Sequence, residues 1–207
     1  MRSKKGQMFI IATLFIIVII VLIRNMVGTL ELTEENRFQE ARLIEKNLRN
    51  AQNEFREAAA LAALQTDANQ SGMDYMRNMS LQMRSDMDIQ IIYIYAVSNN
   101  SNNKYSVAIG NYLQDRMNIT FNATNSNPGG RIFIIEDKAN LTREYNSSVN
   151  GTISINVTYT AQNQDTTEKF NITSNTKSNI FLFTDITVRS NEFFVRGKDF
   201  YNWSWPV

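Results

Sequence analysis

The chain has 207 residues, 43% of them hydrophobic and 20% charged, which is enough for one domain with its own core plus an N-terminal attachment. The 21 Lys and Arg residues nearly balance 20 Asp and Glu residues, and the net charge of +1 excludes a protein that recruits nucleic acid through a strongly basic overall field. The sequence contains neither Cys nor His, so it offers no disulfide framework and lacks the commonest general base and metal ligand.

The first predicted element is an apolar helix. Met8–Ile23 is an uncharged run of 16 residues in which Thr13 is the only clearly polar side chain. This length lies between the core of a typical cleaved signal peptide and a typical membrane-spanning helix. Apolar residues continue beyond Arg24, and no small-residue cleavage site follows the run. The sequence therefore favours a retained membrane span, placed at residues 7–30, with Arg24 reaching the interface.

The charges that flank this run predict its orientation. Three basic residues precede it and three acidic residues follow it: Arg2, Lys4 and Lys5, then Glu31, Glu34 and Glu35. Positively charged flanks stay in the cytoplasm. We therefore expect a single-pass protein of the cell membrane, with a cytoplasmic N-terminus and the remainder of the chain outside the cell.

The tetrapeptide Lys-Lys-Gly-Gln stands at residues 4–7, directly before the apolar run. Basic residues, Gly, Gln and an immediate apolar helix resemble the class III signal sequence of archaeal type IV pilin-like proteins. In that family a prepilin-type peptidase cuts after the Gly, and the helix stays on the mature protein. The resemblance implies a leader at residues 1–6, a cut between Gly6 and Gln7, and a membrane or filament helix that includes Met8, Phe9, Ala12, Phe15 and Ile23.

The sequence departs from this family at one position. Many pilins carry a Glu at the fifth residue of the mature chain, where it can pair with the terminal amine of a neighbouring subunit. The corresponding residue here is Ile11. This departure bears on self-association through the N-terminal helix, and it leaves processing and anchoring unaffected.

The next predicted element is an amphipathic helix over residues 31–70 that continues the first helix. Its apolar residues alternate at spacings of three and four, which forms a heptad seam: Ala41, Ile44, Leu48, Ala51, Phe55, Ala58 and Ala62. The sequence alone is compatible with two packing partners for this seam. It packs against the protein's own sheet, which we favour, or it packs against the same helix of another subunit.

Residues 71–207 are predicted to form an extracellular, β-rich head, so the fold class is α+β: a long N-terminal helix, a short second helix and an antiparallel sheet or sandwich. The sequence Ser71-Gly-Met-Asp74 fits a capping box and predicts the short helix at 72–87. The strand at Ile89–Val97 is almost continuously apolar and is expected to be central. Further strands are predicted at Tyr105–Leu113, Met117–Thr124, Arg131–Asp137, Gly151–Gln162, Lys169–Thr173, Asn179–Arg189 and Glu192–Arg196.

Residues 69–207 carry eleven Asn-x-Ser/Thr sequons, where chance placement gives about 4. They begin at Asn69, Asn78, Asn99, Asn118, Asn122, Asn140, Asn146, Asn150, Asn156, Asn171 and Asn202. This excess predicts a glycosylated surface; the alternative is a β domain rich in Asn, Ser and Thr with incidental sequons. In a strand, both polar residues of a sequon share one face. Asn118, Asn122, Asn156 and Asn171 therefore fall on the polar faces of predicted strands, and glycans on these four residues are expected to coat a one-sided sheet without touching its core.

The sequence does not indicate an enzyme. Its carboxylates are scattered, and the pairs Asp86/Asp88 and Glu136/Asp137 lack the spacing of a calcium loop. No cofactor, metal site or nucleic-acid partner is expected. The aromatic residues of the segment 200–206 fit either a sugar or partner surface or, preferably, an edge strand that closes the core. Two functions are compatible with these features: a subunit or minor component of a pilin-like extracellular filament, or a monomeric anchored surface glycoprotein that acts as an adhesion or binding module.

Overall fold

The computed structural model of the protein describes residues 4–65, 67–86, 88–99, 104–121, 131–146, 152–161, 164–173, 177–190 and 192–206. It confirms the α+β class, with a long N-terminal helix, a shorter second helix and a five-stranded antiparallel sheet. The chain divides into two compact units, residues 1–43 and 44–207. The predicted helix end at Met87 and the sequon residues Asn122 and Asn150 lie outside the described residues.

Helix α1 has the bounds Lys4–Ala63. No Pro occurs before residue 128, so no residue in this stretch lacks the N–H that a helix interior requires. The helix ends in a tightened turn, where the amides of Leu64 and Gln65 donate to carbonyls three residues earlier at 3.2 and 3.1 Å. The predicted helix over 31–70 therefore ends at Ala63.

Helix α2 spans Ala68–Asp86, so it starts earlier than the predicted range of 72–87. Asp67 caps it, because the Gln70 amide donates to the Asp67 carboxylate at 3.0 Å. The predicted capping box at Ser71 is thus wrong, and Ser71 lies inside the helix. Gly72 faces the sheet, where a Cβ atom would lie 2.2 Å from the Tyr95 ring. The Tyr95 hydroxyl also donates to the Ala68 carbonyl at 2.7 Å, which fixes the start of α2 on the sheet.

The described residues contain nine strands, in chain order β1 Ile89–Asn99, β2 Lys104–Tyr112, β3 Met117–Phe121, β4 Arg131–Ile135, β5 Ala139–Asn146, β6 Thr152–Ala161, β7 Gln164–Thr173, β8 Lys177–Arg189 and β9 Phe194–Pro206. The main sheet has the order β5-β2-β1-β8-β9, whereas β3–β4 and β6–β7 form two separate pairs. All of these pairings are antiparallel. The apolar run at Ile89–Val97 correctly predicts the central strand.

The predicted seam packs on the protein's own sheet, which confirms the favoured use. Six of its seven residues are buried, and the seventh, Ala41, is half-buried in the first unit. Phe55 is fully buried, and its ring centroid lies 6.0 Å from that of Tyr93 on β1. The helix also approaches β9 closely, where the Leu48 side chain lies 2.9 Å from the position that a Cβ on Gly197 would take. A continuous core therefore lies between the helices and one face of the sheet.

The opposite face of the main sheet is covered as well, which corrects the expectation of a one-sided sheet. Ile92, Ile94 and Phe183 on this face form a second core with side chains from the β3–β4 and β6–β7 pairs, including Ile119 and Tyr159. Every residue from Ile89 to Ser98 is consequently buried. The head is layered, with helices on one face of the main sheet and strand pairs on the other.

Candidate functional site

The first unit presents an exposed apolar helix. Residues 13–27 are all exposed, and the apolar side chains include Phe15 at 63% and Ile23 at 57% exposure, with Phe9 at 79%. Among the described residues, one helix is long and apolar enough to cross a membrane, and none of its apolar window is buried. This finding rests on length and composition, and it agrees with the membrane span predicted at 7–30.

The hydroxyl groups in and beside this span are satisfied within the helix itself. Thr13 donates to the Phe9 carbonyl at 2.9 Å, and Thr29 and Thr33 donate to carbonyls one turn earlier at 2.8 Å each. A polar group in hydrocarbon is costly unless it is hydrogen-bonded. These threonines therefore do not require a partner helix or water in order to lie in an apolar environment.

The residues of the predicted processing site lie at the start of α1. Gly6 and Gln7 belong to the helix, which begins at Lys4. The side chains of Gln7, Met8 and Ala12 lie outside those that the structure describes. The predicted cut between Gly6 and Gln7 would therefore fall within the first turn of α1, directly before the apolar segment.

The sequon residues occupy different environments in the fold. Asn78, Asn118 and Asn202 are exposed, whereas Asn69 and Asn140 are half-buried. The side chains of Asn99, Asn146, Asn156 and Asn171 lie outside those described. For Asn118, the buried neighbours Met117 and Ile119 confirm the alternation that the sequence predicts.

Some sequons are engaged in the core rather than presented to solvent. Asn140 accepts a hydrogen bond from the Tyr112 hydroxyl at 3.1 Å, and Thr142 of the same sequon donates to the Met73 sulfur at 3.2 Å. These side chains lie between the helices and β5, which is an edge strand of the main sheet. Asn140, which lies in none of the strands that the sequence predicts, is therefore engaged by the core rather than fully presented to solvent.

A buried charge cluster, which sequence reasoning missed, joins the β6–β7 pair to the main sheet. The Arg196 guanidinium on β9 donates to both oxygens of Asp185 on β8, at 2.8 and 2.5 Å, and the Tyr159 hydroxyl on β6 donates to the same carboxylate. The Asp185 side chain is 3% exposed. Burial, and then the Asp185 charge, raise the pKa of Tyr159 well above its ordinary value, so the phenol remains a donor. Hydrogen bonding to Asp185 likewise raises the pKa of Arg196.

Both carboxylates of the Glu136/Asp137 pair form ion pairs. Asp137 accepts from Arg84 of α2 at 2.8 and 2.9 Å, and Glu136 accepts from Arg116 at 3.1 Å. Within the described ranges, no group of three or more Asp, Glu, His or Cys residues is placed to hold a metal ion.

The aromatic residues near the end of the chain lie on an edge strand, as expected. Strand β9 is the outer strand beside β8, and Tyr201 packs against the helix-side core. On the other face, Phe200 remains 52% exposed although its ring centroid lies 4.9 Å from that of Phe183.

The chain matches no protein-family model, no curated protein and no solved structure.

Proposed function

We propose that this protein is a type IV pilin-like surface protein, a structural subunit or minor component of an extracellular filament. One observation carries the proposal: an apolar helical segment, with no buried side chain among those that the structure describes in residues 9–30, directly follows the sequence Lys-Lys-Gly-Gln. In this reading a prepilin-type peptidase cuts after Gly6, the helix holds the protein in the membrane or a filament core, and the 44–207 unit faces the outside as a glycosylated head.

The use of the heptad seam limits where subunits can touch. Residues 44–62 bury their apolar face against the protein's own sheet, so that face is not free for another subunit. Self-association through the N-terminal helix is therefore assigned to residues 7–43. Lipid tails are as apolar as these side chains, so close packing rather than apolar area must favour helix association.

The second candidate is a monomeric, membrane-anchored surface glycoprotein with an adhesive or binding head. Ile11 favours it, because this residue supplies no charge to pair with the amine of a processed neighbour. Both candidates share the anchor and the orientation, and they differ in assembly.

Processing is the first test. We expect mass spectrometry of the native protein to find Gln7 at the N-terminus, because the peptidase of the resembling family cuts after the equivalent Gly. A Gly6→Val variant should keep its leader, whereas the charge-preserving Lys4→Arg variant should be cut normally. A native protein that starts at Met1, or beyond Ile23, contradicts the pilin-like reading.

Assembly is the second test, and it separates the two candidates. Ala12 is one of the few small residues in the span, so an Ala12→Trp change should prevent close helix packing and abolish filaments in electron micrographs of the sheared surface fraction. Phe15→Trp exchanges one bulky residue for another and serves as the matched control. If wild type and both variants are monomeric in mild detergent and form no filament on cells, the surface-glycoprotein function replaces the filament.

A further inference from the structure

Four sequons have both of their polar side chains among the described residues, and the fold sorts them by accessibility. They are Asn69/Ser71, Asn78/Ser80, Asn140/Thr142 and Asn202/Ser204. In three of them at least one side chain is buried or half-buried, and in only one are both exposed, that of Asn202 and Ser204. Ser80, for instance, is fully buried and donates to the Met76 carbonyl at 2.8 Å.

Asn202 lies on β9, at an edge of the main sheet. Among the described residues, the 13-residue strand β9 pairs with β8 on one side and is an end strand of the main sheet. An exposed edge of this length is a template for pairing with another chain. Charged side chains commonly guard such an edge, but those of β9 are engaged inside the molecule: Arg196 with Asp185, Lys198 with Glu168, and Asp199 with Arg56.

An exposed aromatic ring stands beside the same sequon. Phe200 precedes Asn202 by two residues, so both side chains lie on one face of β9. Asn202 is also directly opposite Phe181 on β8, and the rings of Phe181 and Phe200 lie 6.1 Å apart. Phe200 is 52% exposed, so an apolar surface adjoins the acceptor side chain.

We propose that Asn202 is an N-glycosylation site whose glycan covers Phe200 and the open edge of β9. The inference rests on the proposed function, since it requires the head to face the outside. The sugar donor is an oligosaccharide carried on a lipid phosphate. The Asn202 amide nitrogen forms a bond to the anomeric carbon of the first sugar and loses one proton, while the bond from that carbon to the phosphate oxygen breaks and the lipid phosphate leaves.

The test uses the full chain produced in its own cells. Glycopeptide mass spectrometry should find a glycan on Asn202 in the wild type and in Ser204→Thr, which preserves the sequon, and complete loss of that glycan in Ser204→Ala. Hydroxyl-radical footprinting then measures coverage. Oxidation of Phe200 should rise severalfold in Ser204→Ala relative to Ser204→Thr, although Asn202 itself is unchanged in both variants.

Any other result overturns the inference. The results also distinguish a failure of this inference from a failure of the proposed function. An unmodified Asn202 beside a modified Asn118 removes this site and leaves the outward orientation standing. Equal Phe200 oxidation in the two variants refutes the covering role. If no sequon is modified and protease added to whole cells spares residues 44–207, the inference and the proposed orientation fail together.

Discussion

Replacing Asp185 by Ala should lower the free energy of unfolding of the 44–207 unit by about 3–5 kcal/mol, because breaking a buried ion pair leaves the other charge without its partner. The Arg196 side chain is only 19% exposed, and both of its hydrogen bonds to the carboxylate would be lost. The Tyr159 hydroxyl would lose its acceptor as well. The variant should therefore loosen the β6–β7 pair from the main sheet.

Urea unfolding of the full chain in mild detergent, followed by the fluorescence of its two Trp residues, measures this effect. Glu45→Ala is the matched control: it breaks an ion pair with Arg49 whose side chains are 52% and 73% exposed, and it should change stability by about 0.5 kcal/mol or less. Adding Arg196→Met to Asp185→Ala should restore part of the loss, since the unpaired charge is gone. Equal stability of Asp185→Ala and Glu45→Ala would contradict the buried cluster.

Replacing Phe55 by Ala should lower the free energy of unfolding of the same unit by about 3–5 kcal/mol, through lost apolar burial and the cavity left behind. Phe55 is 0% exposed and lies in the core between α1 and the main sheet, with its ring against Tyr93. The seam residues on either side are held by the backbone of a helix, so they collapse into the cavity only in part. The expected loss therefore lies near the upper end for a single core truncation.

Leu61→Ala gives the comparison on the same helix. Leu61 is 55% exposed, so its truncation should shift stability by about 0.5 kcal/mol or less. The same urea titration serves both variants. If Phe55→Ala and Leu61→Ala lose equal stability, the seam does not face the sheet, and helix packing between subunits regains its place as the explanation of the heptad pattern.

The elements that the sequence predicts well are those in which local pattern and final burial agree. The seam from Ile44 to Ala62 has one apolar stripe, and the fold buries that stripe. Strand β1 is apolar on both faces, and the fold covers both faces. In each case the pattern of apolar side chains indicates how many sides of the element are buried. This restricts the ways in which the element can pack against the rest of the fold.

Strand β5 shows why the remainder could not be predicted. In its sequence, ANLTREYN, apolar Ala139 and Leu141 alternate with polar Asn140 and Thr142, but Arg143 and Glu144 end the alternation. The period-2 signal is therefore too short to predict a strand or to place Asn140 and Thr142 next to a core. These residues face the helices because Tyr112 and Met73 offer partners for their polar atoms. These partners are distant in sequence, so no local sequence pattern predicts the contacts.

The features of the candidate site likewise fall into those that the sequence predicts and those that it does not. The apolar span and the sequons are visible in the sequence, because the first depends on composition and the second on adjacent residues. Which sequon is accessible depends on tertiary contacts, such as those that bury Ser80 of α2. The cluster at Asp185 was missed because Tyr159, Asp185 and Arg196 are brought together from three strands. The one signal of this cluster in the sequence was a charged residue, Asp185, inside the otherwise largely apolar strand β8.

The ion pair between Arg56 and Asp199 has a consequence for the order of events during synthesis. The two residues bond at 2.6 and 2.7 Å across a sequence separation of 143 residues. At about 5–20 residues per second, a ribosome needs about 7–30 s to cover that separation. The Leu48 region of the seam therefore exists for many seconds before β9, the strand that lies against it, has been synthesised. Truncation before β9 would leave the Leu48 region of that seam uncovered for the life of the chain.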